Sequence, residues 1–494
     1  MSTFAQYDEP HRPQLHFSPP ANWMNDPNGM VYHNGEYHLF YQYYPNDIVW
    51  GPMHWGHAVS RDLIHWKHLP IALEPDKLGY IFSGSAVVDK QNSSGFGTKN
   101  KPPLVAMFTY HLMEGEKAGR KNFQYQGIAY STDNGRTWTK YDKNPVIPNT
   151  ENLKDFRDTK VFWHEESKRW IVVLAAGDHI RLYSSSNLKT WKVESEFGKM
   201  HGSHAGVWEC PDLFPLKING KTKWVLLLSI NPGGPSGGSA TQYFIGDFDG
   251  KTFKNDNPSK KTLWLDYGRD NYAGVTWSNV PGGRRAFLGW MSNWDYAQKV
   301  PTSPWRSAMT LPRELSLKQT SDGIRVNQKL VKEIEILRVS EMLAAKDMIV
   351  TGSLEISKAK PSQIEMIFEV DLSKTDSKDF GIEVSNKKGE TFTVGYNVGS
   401  RSFYTDRRKA GKTTFSEEFA KDMHTAPRVS RNSKLRLHLI FDNSSVELFA
   451  DDGEIAMTDI FFPTEDFTGS RFFSTGGKTR ISNAKAWNLR SIWH

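Results

Sequence analysis

At 494 residues the chain is too long for one ordinary domain of roughly 100 to 200 residues, so we expect two structural units. Its formal net charge is +7, but the basic residues are scattered among acidic and amide residues, which excludes a nucleic-acid-binding track. It contains no run of about 18 apolar residues, which excludes a membrane-spanning helix. The single cysteine, Cys210, excludes an intrachain disulfide and a multi-cysteine metal site.

The aromatic content of 13% favours a β-rich protein with surfaces on which a sugar or a planar ligand can stack. Residues 1–9 lack the basic segment and apolar run of a secretory signal. As written, the chain is expected to be cytoplasmic, or secreted if a signal has been removed. The sequence does not predict an oligomeric state.

The first candidate functional stretch is a tight turn at residues 23–29, with the sequence WMNDPNG. Asp26 precedes Pro27, which biases the aspartate toward extended backbone, and the following Asn-Gly pair accepts left-handed dihedral angles. Such a turn can hold the Asp26 carboxylate in one orientation, as a nucleophile requires. Taken alone, the stretch is equally compatible with an ordinary surface turn.

From about residue 15 to residue 315, short strands alternate with Gly, Asn, Asp and Pro turns, without a helical stripe. An apolar strand, a turn and an aromatic residue recur, ending at Trp66, Trp138, Trp191 and Phe253. The spacing is close to the length of a four-stranded sheet, which predicts a five-bladed β-propeller over residues 1–327. A large β-sandwich is the alternative interpretation. In a propeller, acidic residues distant in sequence converge at the central channel.

The second half of the chain has a different pattern. Residues 328–345 place leucine and isoleucine among lysine and glutamate, which predicts a helical linker. After it, apolar residues occupy every second position, as at Ile364, Met366 and Phe368. We therefore predict a β-sandwich over residues 346–494, and an all-β protein as a whole.

Two further acids are framed by rigid or aromatic residues. Glu209 lies between Trp208 and the Cys-Pro step that follows it, so partial shielding from water should favour its protonated form. Asp158 follows Arg157 and is expected to be held ionised by that neighbour. An ionised nucleophile, a proton donor and an anionic stabiliser are what a retaining glycosidase needs. Each stretch alone is also compatible with a salt bridge that anchors a loop.

These stretches, with FSGS at residues 82–85 and SPWRS at residues 303–307, resemble in order the successive motifs of glycoside hydrolase family 32. The likeness is closest to bacterial levanases. The resemblance implies a five-bladed propeller followed by a β-sandwich, with Asp26 as nucleophile, Asp158 as transition-state stabiliser and Glu209 as acid/base. The sequence departs from the family at Thr159, where proline is usual, so Asp158 should be held slightly less rigidly.

The resemblance also implies a set of sugar contacts. Amide groups would bind hydroxyls, an arginine would clamp them, and aromatic rings would form apolar walls. From the residues alone, Gln42, Trp50 and Trp294 are better interpreted as core or blade-turn residues. The implied substrate-binding residues are Trp23, Asn25, Gln42, Trp50, Phe82, Ser83, Arg157 and Trp294.

The expected function is therefore a retaining hydrolase that releases terminal fructose from β-fructans, such as levan and inulin, and from sucrose. Water is the second substrate, and no metal or organic cofactor is called for. The alternatives are a dedicated sucrose hydrolase (invertase), a fructosyltransferase, or a non-catalytic carbohydrate-binding propeller. The last alternative predicts the loss of one of the three acids. The expected partner is the sugar substrate, not a nucleic acid or a membrane.

Overall fold

The computed structural model describes residues 7–98, 100–356 and 361–493. Within these residues the chain forms five blades of mainly antiparallel strands, followed by one large, curved sheet. The predicted all-β architecture of a five-bladed propeller and a β-sandwich is confirmed. No helix in the described ranges is long and apolar enough to cross a membrane.

The blades follow one another along the chain, and the first strand of each lies nearest the central channel. The first blade contains β1 (Asn22–His33), β2 (Glu36–Tyr44), β3 (His54–Ser60) and β4 (Trp66–Leu73). The second contains β5 (Tyr80–Val88), β6 (Leu104–His111), β7 (Gln124–Ser131) and β8 (Thr139–Lys140), with helix α1 (Met113–Lys117) between β6 and β7. The third contains β9 (Phe156–His164), β10 (Arg169–Ala176), β11 (Ile180–Ser185) and β12 (Lys192–Phe197).

The last two blades contain short additional strands. The fourth contains β13 (Val207–Ile218), β14 (Lys221–Asn231), β15 (Ala240–Phe248), β16 (Phe253–Asn255) and β17 (Leu263–Trp264). The fifth contains β18 (Tyr272–Thr276) and β19 (Ala286–Met291), then β21 (Ala308–Met309), β22 (Arg313–Thr320) and β23 (Gly323–Leu330). Between them, β20 (Trp305–Arg306) pairs in parallel with β1. This pairing closes the ring, because it joins the end of the propeller to its first blade.

Apolar packing between blades holds the ring together. Strands such as β6 are buried along their whole length, because each blade has a neighbour on both faces. Val105 and Ile128 of the second blade share a hydrophobic cluster with Val172 and Leu174 of the third. Each pair of blades therefore buries its own core, and the polar end of each inner strand is left free to face the channel.

The predicted linker helix over residues 328–345 is not present. Strand β23 continues to Leu330, a 3-10 segment covers Lys332–Leu337, and strand β24 (Arg338–Glu355) follows immediately. Ile334 and Leu337 are buried against the propeller core, while β24 pairs along the C-terminal strand β33 (Gly469–Leu489). Strand pairing and burial thus outweigh the local helical preference of this leucine- and lysine-rich segment.

The C-terminal sheet is organised around one long strand. This strand is β33: its first part pairs with β26 (Asp379–Ser385) and its second part with β25 (Ile364–Asp371). Strand β24 pairs along the other edge of β33. Ile364, Met366 and Phe368 are buried in its core, as the alternating pattern predicts. The remaining strands are β25 (Ile364–Asp371), β26 (Asp379–Ser385), β27 (Thr391–Asn397), β28 (Ser402–Lys409), β29 (His424–Pro427), β30 (Lys434–Asp442), β31 (Ser445–Ala450), β32 (Ile455–Ile460) and β33 (Gly469–Leu489).

A buried network of charges joins the sandwich to the rest of the chain. His16 Nδ1 lies 2.7 Å from an Asp442 oxygen, and His16 Nε2 lies 3.0 Å from Glu447 Oε1. Arg313 of the fifth blade donates to Glu447 at 2.5 Å and to Asp266 at 3.0 Å. These are charge-assisted bonds between fully buried side chains, so removing any one partner would leave an uncompensated charge.

This network makes stability depend on pH. Burial alone would lower the pKa of His16, but the bonds to Asp442 and Glu447 outweigh it and raise that pKa to about 9, from an ordinary 6.5. Protonated His16 therefore stabilises the folded state. This contribution is fully present below pH 6.5, the ordinary pKa of histidine, and it is lost as the pH rises toward 9. We expect the Tm of the wild type to fall more steeply across this window than that of His16→Gln, in thermal denaturation at matched ionic strength. Parallel Tm profiles would contradict this.

Candidate active site

The innermost strand of every blade is interrupted near its N-terminal end. An extra residue in one strand of an antiparallel pair bends that strand and turns its side chains to a new direction. A β-bulge therefore directs the side chains of each predicted functional stretch toward the mouth of the channel. The register shifts fall between Met24 and Pro27, Ile81 and Gly84, Arg157 and Thr159, Glu209 and Asp212, and Tyr272 and Val275.

Three of these interruptions place a residue other than glycine in the left-handed region of backbone conformation. The φ angles are +69° at Asp158, +45° at Cys210 and +53° at Ala273. Such conformations cost on the order of 1–3 kcal/mol each and persist only where the surroundings enforce them. The mouth of the channel is thus a rigid, strained setting for side chains.

Asp26 is buried and bonded at both carboxylate oxygens. Its Oδ1 accepts a hydrogen bond from Asn25 Nδ2 at 3.0 Å, and its Oδ2 accepts one from Ser83 Oγ at 2.6 Å. Burial raises the pKa of Asp26, the bonds from Ser83 and Asn25 oppose that rise, and the charge of Glu209 adds to it. The carboxylate is therefore fixed in orientation and close enough to Glu209 to respond to its charge.

Cys210 separates two of the acids. Its sulfur lies 3.5 Å from Asp26 Oδ2 and 3.5 Å from Asp158 Oδ2. Burial, reinforced by the nearby carboxylates, raises the pKa of this thiol well above its ordinary value. The thiol therefore stays protonated and uncharged. It is a weak hydrogen-bond donor that lies between the carboxylates of Asp26 and Asp158.

Asp158 is held by backbone contacts, not by its neighbour in sequence. Its Oδ2 accepts a bond from the Cys210 backbone N–H at 3.0 Å, and its own N–H donates to Thr109 Oγ1 at 2.9 Å. Arg157 Nε is 4.0 Å from the Asp158 carboxylate, whereas Arg157 lies 2.8 Å from Glu209 and 2.7 Å from Asp155.

Arg157 lowers the pKa of Asp158, as expected from the sequence, but other contributions outweigh it. Burial raises the pKa of Asp158 to about 7; Arg157 lowers it only in part, and the charges of Glu209 and Asp26 raise it further. Consecutive side chains on a strand point apart, so adjacency in sequence did not bring the guanidinium onto the carboxylate.

Both oxygens of Glu209 accept hydrogen bonds. Oε1 accepts from Arg157 at 3.1 Å (Nε) and 2.8 Å (Nη2), and Oε2 accepts from the Tyr272 hydroxyl. Burial and the Glu209 charge raise the pKa of Tyr272 well above its usual range, so the phenol keeps its proton. Tyr272 was not predicted from the sequence, because no motif marks the short strand β18 and only the folded ring of blades brings it to Glu209.

Three of the aromatic residues predicted to contact the sugar lie partly exposed. Trp50, Phe82 and Trp294 are half-buried and keep part of their rings exposed. Trp50 meets Phe82 edge-on at 6.1 Å, and Phe82 stacks on His111 at 4.2 Å between ring centres. Phe82 precedes Ser83, which bonds to Asp26, and Trp294 stacks on Trp23 with 5.8 Å between ring centres. The contact of these rings with a sugar stays a prediction.

Two of the predicted sugar contacts lie behind the opening. Trp23 is fully buried, with 0% exposure, and its indole N–H donates to Asn25 Oδ1 at 2.7 Å. Gln42 is also buried, and its amide donates to Asn28 Oδ1 at 2.7 Å and to the Ile81 carbonyl at 3.0 Å. Trp23 thus has no ring surface for a ligand, contrary to the expected sugar contact, and supports the residue that orients Asp26.

Two domain models of one known protein family together match almost the whole chain. Residues 16–329 match the model for the glycosyl hydrolases family 32 N-terminal domain, and residues 333–488 match the family 32 C-terminal model. The chain belongs to glycoside hydrolase family 32. The resemblance found in the sequence motifs is confirmed, and the protein is a glycoside hydrolase.

Individual relatives of this family 32 chain align along its full length. It is 50% identical to a levanase of Bacillus subtilis, over 99% of this chain and 72% of that protein. It is 41% identical to the extracellular exo-inulinase inuE of Aspergillus niger, over 99% of this chain and 96% of the relative. The crystal structure of exo-inulinase from Aspergillus awamori superimposes with a TM-score of 0.90 at 38% identity, covering 99% of this chain and 100% of that one.

The carboxylates of this family 32 site are not arranged as metal ligands. In the part of the chain that the structure describes, no three His, Cys, Asp or Glu side chains are placed to hold a metal ion. The carboxylate oxygens instead accept hydrogen bonds from hydroxyl, amide, thiol and guanidinium donors. At the position of the departure from the family, Thr159 Oγ1 donates to the Met107 carbonyl at 3.1 Å and ties β9 to β6.

Proposed function

We propose that this protein is a retaining β-fructofuranosidase that removes terminal fructose from levan- and inulin-type fructans and from sucrose. The observation that carries the proposal is the meeting of Asp26, Asp158 and Glu209, from three different blades, around one opening. The names of the levanase and exo-inulinase relatives support fructans as the substrate class. The shielded opening and its aromatic walls suit a sugar ring.

In the first step, the Asp26 carboxylate attacks the anomeric carbon of the terminal fructosyl unit. Glu209 gives its proton to the glycosidic oxygen as the bond to that oxygen breaks, so the leaving sugar departs neutral. Ser83 and Asn25 hold Asp26 in one orientation, which favours attack along a single line. The product of this step is a fructosyl ester on Asp26.

In the second step, Glu209 removes a proton from water, and the resulting nucleophile attacks the same carbon. The bond to Asp26 breaks, the carboxylate is restored, and fructose leaves with its anomeric configuration retained. Arg157 and Tyr272 both contact Glu209, so they keep its carboxyl aimed at the site of proton transfer in both steps. Asp158 would accept hydrogen bonds from the sugar hydroxyls as positive charge develops on the ring.

The proposal predicts the acid limb of the pH profile. Asp26 attacks only when ionised, and its pKa is raised above 3.8, so kcat/KM should begin to fall at a higher pH than an ordinary aspartate would give. Removing the Ser83 hydroxyl takes away a bond that favours the ionised form. In Ser83→Ala the acid limb of kcat/KM against pH should therefore move to higher pH.

Ser85→Ala is the matched control for this prediction. Ser85 lies on the same strand, but its hydroxyl accepts from the Val161 N–H at 2.9 Å and does not contact Asp26. Its acid limb should coincide with that of the wild type. An acid limb in Ser83→Ala that is unmoved, or that moves to lower pH, would contradict the assigned role of the Ser83 hydroxyl.

The mode of action is tested by chromatography of the products from levan, inulin and sucrose. Fructose as the sole early product from both polymers supports removal of terminal units. A ladder of oligosaccharides would overturn it, and turnover of sucrose alone would favour a dedicated sucrose hydrolase. Accumulation of trisaccharides would favour a fructosyltransferase, and no turnover of any of the three would leave a carbohydrate-binding propeller.

A further inference from the structure

A cavity lies at the end of the propeller channel opposite to the three acids. Its volume is about 880 Å³, and its lining comes from the second to the fifth blades. The inner strands contribute their C-terminal portions, such as Val87 and Val88 of β5, whereas the three acids lie at the N-terminal ends of their strands. None of the three acids lines this cavity.

A buried ion pair separates the cavity from the acids. Along β9, Lys160 and Phe162 occupy alternate positions beyond the bulge at Asp158, and so point to the same side of the strand. Lys160 Nζ donates to Asp212 Oδ2 at 3.0 Å and to the Thr276 carbonyl at 2.5 Å, while Phe162 lines the cavity. Four residues of strand span roughly 13 Å, so the cavity is a separate compartment of the channel.

Arg285 is the unusual side chain in this cavity. It is half-buried, its guanidinium lies 4.9 Å from the centre of the Phe214 ring, and its Nε is buried without a hydrogen-bond partner. Its guanidinium forms no ion pair and donates no hydrogen bond to any described residue. The nearby Asp212 carboxylate is bonded to Lys160 and Thr276 through Oδ2 alone, and its Oδ1 has no hydrogen-bond partner among the described residues. Burial lowers the pKa of Arg285, against the opposing charge of Asp212.

The charges around Arg285 also favour an anion. Lys90 and Lys217 are exposed at the lining, and neither forms an ion pair within the described ranges. Two carboxylates also line the cavity: Glu165 bonds to Lys168 and to the Trp163 indole, and the exposed Glu166 lies 2.8 Å from His164 Nε2. The three cationic side chains, with Arg285, outnumber these two carboxylates, so the net charge of the lining is positive.

Aromatic side chains form part of the cavity wall. Phe162, Trp163, Phe214 and Trp224 all contribute to the lining. Aromatic faces favour a ligand that has a ring or an apolar body, and an inorganic ion alone would leave them uncovered.

From these contacts we propose that the cavity binds an organic anion. A carboxylate or phosphate group would take the unpaired guanidinium of Arg285 as a bidentate partner, and the ring or apolar body would pack against the aromatic walls. The proposal does not depend on the hydrolase function, because no residue of the three-acid site takes part.

Isothermal titration of the full chain tests this inference with two anionic probes and their neutral counterparts. The probes are benzoate against benzyl alcohol, glucose 6-phosphate against glucose, and inorganic phosphate alone. At least one organic anion should bind, with its neutral counterpart and inorganic phosphate much weaker. Arg285→Gln should weaken that binding by about tenfold or more, as loss of a charged hydrogen-bond partner implies. Which probe binds identifies the charged group as carboxylate or phosphate.

Arg284→Gln is the matched control, because Arg284 bonds to Glu333 at 2.7 Å and to Glu314 at 3.0 Å and is not part of the lining. Its affinity for the anion should equal that of the wild type. Lys217→Gln, at an exposed position, should weaken binding to a smaller extent and gives a second readout if Arg285→Gln fails to fold. The proposal is overturned if neither organic anion binds, if inorganic phosphate or the neutral probes bind equally well, or if the Arg285 and Lys217 variants retain full affinity.

Discussion

Asp26→Asn is expected to lower kcat on sucrose and fructans by at least about 10⁴-fold, with the fold unchanged. Asparagine fills the same volume, and its single oxygen can still accept the hydrogen bond of either Ser83 or Asn25, so most of the surrounding contacts are preserved. Its amide cannot form the covalent ester that the proposed mechanism requires. The measurement is steady-state hydrolysis together with thermal denaturation of the purified variant.

The matched control is Asp142→Asn, an exposed aspartate in the second blade. It should leave kcat and Tm at wild-type values. A rate for Asp26→Asn within about tenfold of the wild type, in a folded protein, would remove Asp26 from the chemistry. Loss of activity together with a collapsed Tm would instead indicate a structural role.

Glu209→Gln is expected to lower kcat by about 10²–10⁴-fold on sucrose, because the leaving sugar must then depart without a proton. Glutamine keeps an oxygen that can accept the bonds from Arg157, so the position of the side chain should be retained. The loss should be much smaller for a fructoside with a good leaving group, which does not need protonation.

The response to added azide distinguishes the acid/base role of Glu209 from the roles of the two aspartates. Added azide needs no general base, so it should attack the fructosyl intermediate in Glu209→Gln, raise the rate and yield a fructosyl azide. Asp158→Asn keeps Glu209, and its rate should not respond to azide. Equal losses on good and poor leaving groups, with no response to azide, would contradict the role of Glu209.

The fold was predictable where one local signal agreed with the tertiary structure. Apolar residues at every second position, as at Ile364, Met366 and Phe368, indicated a sheet with one buried face. The recurrent strand and turn units indicated the blades of the propeller. The error at residues 328–345 arose because its apolar residues are spaced as on a helix. Their partners, the propeller core and strand β33, lie far away in sequence.

The residues of the candidate site also differ in whether the sequence could predict them. Asp26, Asp158 and Glu209 were identifiable because each lies within a short, distinctive stretch of sequence. Tyr272 was not identifiable, because its importance comes only from the approach of β18 to Glu209. The pairing of Arg157 with Glu209 instead of Asp158 depends on bulges, which no residue pattern in the sequence announced.

In the proposed mechanism a fructosyl group is bound covalently to Asp26, the aspartate of the WMNDPNG turn. This covalent bond is tested most directly by mixing the Glu209→Gln protein with a fructoside that has a good leaving group, quenching in acid and mapping the peptides by mass spectrometry. The account predicts one added fructosyl unit on the peptide that contains Asp26, at that residue. Consumption of the fructoside with that peptide unmodified, or an adduct on Asp158, would contradict it.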